Sequence, residues 1–87
     1  MKYYLEYVHP FMTIKELDDE KFTIKKRNGW YHVYLDASER TYFTIDCIYD
    51  TIQDCFKWLR TYSKPVLMPD GSQKYVDEFF LEDSNRA

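Results

Sequence analysis

Asn28-Gly29 constrains this chain more than any other pair of residues. It stands between FTIKKR (22–27) and WYHVYLD (30–36), two runs with strand-like patterning. A two-residue type I′ turn needs positive φ at both central positions, which Asn and Gly tolerate. Such a turn also fixes the register of the strands it joins. Arg27 is expected opposite Trp30, Lys26 opposite Tyr31, Lys25 opposite His32, Ile24 opposite Val33, and Thr23 opposite Tyr34. Directly paired residues share a face, and faces alternate along a strand. Phe22, Ile24, Tyr31, Val33 and Leu35 then form an apolar face, with Lys26 at its end. Thr23, Lys25, Arg27, Trp30, His32 and Tyr34 form the opposite one.

After a loop at 37–39, residues 41–47 alternate as a third strand. Phe43, Ile45 and Cys47 take one side, and Tyr42, Thr44 and Asp46 the other. A helix is expected over 51–63, with Asp50 as N-cap and Gln53 completing a capping-box-like pair. Ile52, Cys55, Phe56, Leu59 and Tyr62 form its apolar stripe, Trp58 lies at the stripe's edge, and Pro65 stops it. The fold class is therefore α+β. A small, mostly antiparallel sheet (hairpin 22–35 plus third strand 41–47) carries one amphipathic helix (51–63) packed on its apolar face. This layout resembles that of many small bacterial and phage proteins, without a motif from which a residue's role is transferred.

The two ends are open to more than one assignment. Tyr3, Leu5 and Tyr7 alternate as a strand would, while Tyr3, Tyr4, Tyr7 and Val8 would suit one side of a helix; His9-Pro10 ends either. Residues 13–18 are expected to form one helical turn, with Thr13 and Glu16 as a capping box. Pro69-Asp70-Gly71 reads as a turn. Val76, Phe79 and Phe80 favour a short C-terminal helix with Ser72 as N-cap, against a strand pairing with 66–68. The 87 residues are expected to form a single domain, 1–87, frayed over 84–87.

Aromatic residues are unusually abundant, at nine Tyr, six Phe and two Trp. Folding a chain of this size hides up to roughly 10,000 Å², and a buried ring takes about 200 Å². One core could therefore hold every ring, so strand register decides which of them reach the surface.

Several function classes find no support in the residues. The formal net charge of -3 argues against a general nucleic-acid binder, which is usually strongly basic. No apolar run approaches the ~20 residues of a membrane span, and the first residues lack the apolar stretch of a signal peptide. Two His and two Cys show no metal-ligand spacing, and both glycines belong to tight turns rather than phosphate loops. Cys47 and Cys55 fall on expected apolar faces, where a thiol is inert filler. The expectation is a cytoplasmic protein with no catalytic residue, no metal and no cofactor.

The face bearing Lys25, Arg27, Trp30, His32 and Tyr34, extended by Tyr42, is the candidate binding surface. Tyr, Trp and Arg are the residues from which interface hot spots are built. The leading expectation is a module that binds and modulates a larger protein. The alternative is nucleic-acid binding, since single strands stack on rings flanked by cations. A homo-oligomer is a third possibility. Phe79 and Phe80, inside the acidic DEFFLED segment, are the second candidate unless they dock onto the core.

Overall fold

The computed structural model describes residues 1–35 and 41–84. In chain order it contains β1 (Lys2–Val8), β2 (Phe11–Leu17), β3 (Thr23–Arg27), β4 (Trp30–Tyr34), β5 (Thr41–Ile45), α1 (Ile52–Trp58), β6 (Val66–Leu67), β7 (Gln73–Lys74) and α2 (Val76–Ser84). This is a small α+β protein made mostly of strands. It has two sheets where one was expected, ordered β1-β2-β6-β7 and β3-β4-β5. The loop expected at 37–39 and the end of the expected frayed tail at 85–87 lie outside the described residues.

The first two strands form an antiparallel hairpin turning at a cis His9–Pro10 bond. Residues 13–18, expected to be a helical turn, belong mostly to β2. Local capping signals lose here to long-range pairing, because β2 bonds to β1 on one edge and runs parallel to β6 on the other. The turn that follows uses the acidic run. The Asp18 carboxylate accepts from the backbone N–H of Glu20 and Lys21, and its carbonyl accepts from Phe22 at 3.0 Å.

Alternation gives the first hairpin two working faces. The Leu5–Ile14 pair lies on one, with Tyr7 opposite Met12. There Ile14 is buried with Cys55, Phe56 and Leu59 of the α1 region, Val66 of β6 and Val76 of α2. The other face contributes Tyr4 and Leu17, which are buried with Val33 and Ile45 of the second sheet. The layers therefore run helices, four-stranded sheet, three-stranded sheet. The helix expected on the apolar face of the 22–35 hairpin packs on the other sheet, and the first hairpin covers that face instead, with Tyr4 and Phe43 ring centroids 5.5 Å apart.

The second hairpin has the register read from its turn, from Thr23 opposite Tyr34 to Arg27 opposite Trp30. Asn28 and Gly29 have φ of 54° and 82°. Leu35, expected on the apolar face, is 49% exposed, because β4 ends one residue earlier at an irregularity in its pairing with β5.

The first helix is shorter than the expected 51–63, and its N-cap is Thr51, whose hydroxyl accepts from Asp54 N–H at 3.0 Å. Asp50, the expected cap, is instead ion-paired to Lys2. The helix closes at Leu59, and the chain must extend before Pro65 to enter β6. A second helix, α2, forms as the C-terminal pattern suggested, but it starts at Val76, so Ser72 is not its cap. Ser72 closes the 69–72 turn, donating its backbone N–H to the Asp70 carboxylate. The strand assignment also holds in part, since β7 pairs with β6 just before α2.

Two predictions follow from burial. Ile14→Ala should cost about 2–5 kcal/mol in urea unfolding, whereas Leu35→Ala should stay within about 0.5 kcal/mol. Burial also pushes the Cys55 thiol from its ordinary 9.0 up to about 12. Above pH 9 the unfolded thiol ionises and the folded one resists, so stability present below pH 9 should be lost progressively toward pH 12. The urea midpoint should fall across that window, and less steeply in Cys55→Ala.

Candidate functional site

The outer face of the three-stranded sheet brings most of the expected surface residues together. Lys25 is opposite His32, Arg27 is opposite Trp30, and Thr44 of β5 continues the row beside His32. The centre of this face is packed against itself. Lys25 Nζ and Arg27 Cζ each lie 5.6 Å from the Tyr34 ring centroid. The His32 ring stacks on the same ring, 6.4 Å away and tilted by 19°. Tyr34 is only 2% exposed as a result of its surroundings. Long basic side chains lay their aliphatic stems along an apolar neighbour while their charged heads reach water. Each cation over a ring contributes about 0.5–1 kcal/mol where solvent reaches it, and more where it does not.

Trp30 is different. It is the first residue after the Asn28-Gly29 turn and is 51% exposed. Its backbone is fixed by the hairpin register, while its indole remains largely open. The outer face therefore presents an exposed indole at one end and a buried, cation-covered tyrosine at the other.

Tyr42 does not join this face. Val33 pairs with Phe43 and Tyr34 with Thr41, so Tyr42 is the extra residue at the irregularity. Its ring stacks on Phe22 at 6.2 Å and meets Phe43 edge-on at 5.2 Å. Simple alternation assigns Tyr42 to the side of Thr44, and the added residue moves it to the border of the apolar cluster.

Phe79 and Phe80 dock onto the core. The Phe79 ring stacks on Phe56 with centroids 4.2 Å apart, and Phe80 meets Phe79 edge-on at 5.6 Å. Both are half-buried against the cluster around Ile14. The exposed apolar residue of that helix is Leu81, at 68%.

Cys47, expected on an apolar face, is exposed because β5 ends two residues before it. Burial first, and the neighbouring Cys47 second, push the Tyr49 hydroxyl well above its ordinary value. Backbone bonds of 2.8 Å in both directions between Tyr3 and Tyr49 hold this segment against the edge of β1.

Sequence reasoning missed a cleft of about 240 Å³ beside this segment. Leu5, Tyr7 and Met12 from the first hairpin line it together with Asp46, Tyr49 and Trp58. Trp58 is 74% exposed. The position of Trp58 at the edge of the helical stripe, with the alternation of Tyr3, Leu5 and Tyr7, carried the signal. It became legible only once strand and helix were placed side by side. A more open groove of about 390 Å³ lies on the other side of the four-stranded sheet, near Thr13, Lys15 and Leu67.

Among the described residues, no group of three or more His, Cys, Asp or Glu is placed to hold a metal ion. No helix among them is long and apolar enough to cross a membrane. No protein-family model, no curated protein and no solved structure matches the chain.

The two rings at opposite ends of the outer face should respond differently to truncation. Tyr34→Ala should destabilise by about 3 kcal/mol or more, as for other buried aromatic side chains. Trp30→Ala should cost less than about 1 kcal/mol, because most of the indole already sees water. Thermal or urea unfolding of the two variants checks this directly.

Proposed function

We propose that this protein is a small non-enzymatic interaction module that binds and modulates a larger protein in the cytoplasm, with Trp30 as its anchor. One observation carries the reading: an indole left half exposed on a backbone fixed by a two-residue turn. Tryptophan beside arginine is the combination most enriched where interface energy concentrates. Pre-organisation favours binding, since little backbone freedom remains to be lost on contact. The packed stack of Lys25, Arg27, His32 and Tyr34 lies beside the anchor on the same face. Tyr42 and Phe22 offer a further ring pair at the border of the sheet.

Nucleic-acid binding is the second reading, favoured by Lys25, Lys26 and Arg27 standing next to each other in β3. It is weaker because Tyr34, the ring best framed by cations, is buried and has no face to offer a base. The cations themselves already lie over the rings of Tyr34 and Tyr31. Self-association through the same indole is a third outcome, which concentration-dependent sedimentation would reveal.

The test is a capture experiment from host lysate with wild type and Trp30→Ala side by side, half of each treated with nuclease. A protein retained by wild type through nuclease treatment, lost with Trp30→Ala and little affected by moderate salt is the expected result. Capture that vanishes with nuclease and falls steeply with salt would favour the alternative. Binding equal in wild type and Trp30→Ala would remove the proposed anchor.

A further inference from the structure

The cleft beside Trp58 has a chemistry unlike that of the sheet face. Three electron-rich rings, Tyr7, Tyr49 and Trp58, line it from three separate parts of the fold: the first strand, the segment after β5 and the end of α1. None of these rings stacks on another of the three; the ring partner of Tyr7 is His9, at 6.1 Å. They bound an open space rather than fill one another's. Met12 adds a polarizable thioether, and Asp46 is the charged side chain of the lining. Among the described residues, no lysine or arginine lines the cleft.

Such a lining attracts positive charge. Ring faces carry the negative lobe of the aromatic quadrupole, and several rings around one point add their attraction. The Asp46 carboxylate has the same sign of preference. The kind of cation is set by what the cleft lacks. A bare ammonium is strongly hydrated and seeks an acceptor for each of three N–H bonds. The lining is mainly apolar and aromatic and cannot replace three waters. A quaternary ammonium has no N–H to satisfy and presents methyl groups, so it gains from ring faces at little desolvation cost. Size agrees: a cavity of about 150 Å³ accepts benzene, and a trimethylammonium head is of similar bulk, against about 240 Å³ here.

Two of the rings are held in place. The Tyr7 hydroxyl is 3.2 Å from His9 Nδ1, and the Tyr49 backbone exchanges two 2.8 Å bonds with Tyr3. Rings held in this way lose less freedom when a ligand enters.

We propose that this cleft is an aromatic cage for a quaternary ammonium group, carried either by a small choline-like molecule or by a trimethylated lysine side chain. The site is separate from the Trp30 surface and does not depend on that surface binding anything.

The experiment is an NMR titration of the whole chain, following the Trp58 indole N–H. The probes are choline, its uncharged isostere 3,3-dimethylbutan-1-ol, and a lysine peptide with and without trimethylation. Saturable shifts with choline or with the trimethylated peptide are expected, at least about tenfold tighter than with the isostere or the unmodified peptide. Trp58→Ala should weaken that binding about tenfold while leaving the unfolding temperature nearly unchanged, since Trp58 is largely exposed. Asp46→Asn should weaken it by a smaller factor. A trimethylated peptide binding far more tightly than choline would identify a protein side chain as the source, and similar affinities would identify the free head group. Equal binding of choline and its uncharged isostere would overturn the proposal in favour of a plain apolar cleft. No saturable shift with any probe would overturn it as well, and so would unchanged affinity in Trp58→Ala.

Discussion

The burial of Ile14 with Phe56 and Val66 on one face of β2, and of Leu17 with Val33 and Ile45 on the other, joins the layers of this molecule. A strand that buries an apolar residue on each face, Ile14 on one and Leu17 on the other, lies between two layers. Helices on one side and a second sheet on the other are the arrangement that buries both. The rest of the topology follows from that placement. The first helix is drawn to the Ile14 face, β6 pairs with the open edge of β2, and the 22–35 hairpin lays its apolar face on Tyr4 and Leu17.

What the sequence made legible was local. The Asn28-Gly29 turn dictated its own dihedrals and the register of five residue pairs, because a two-residue turn leaves the strands no alternative. The alternation around Ile24, Val33, Phe43 and Ile45 marked the inner face correctly. What could not be read was non-local. Thr13 and Glu16 satisfy a capping pattern, yet pairing on both edges of β2 outweighs a contribution of about 1 kcal/mol from a cap. The irregularity between Val33 and Tyr34 depends on how β5 docks, and its one extra residue was enough to move Tyr42 off the outer face. The cleft at Trp58 needs Tyr7, Tyr49 and Trp58 together, and nothing in their spacing announces that they meet.

The abundance of rings is accommodated in two ways. Some fill the cores, as Phe56 and Phe79 do by stacking at 4.2 Å. Others are shielded by charge: lysine and arginine lie over Tyr34, and Lys26 lies over Tyr31. An aromatic-rich sheet can thereby face water without a broad apolar patch, which would otherwise invite non-specific association. Against that background Trp30 and Trp58 stand apart, since neither has a cation placed over its ring among the contacts described.

The parallel pairing of β2 with β6 has a consequence for how the chain reaches its native state. Met12 pairs with Val66, so the Ile14 core closes only after nearly the whole chain is available. The β3–β4–β5 meander, by contrast, is built from neighbours in sequence and can form early. During synthesis, therefore, the central strand waits with one apolar face bare while its last partners are still being made. The second sheet, laid on Tyr4 and Leu17, is the part that can shield the other face in the meantime. In a growing chain the three-stranded sheet can thus close the Tyr4 and Leu17 face first, while the Ile14 face waits for α1, β6 and α2.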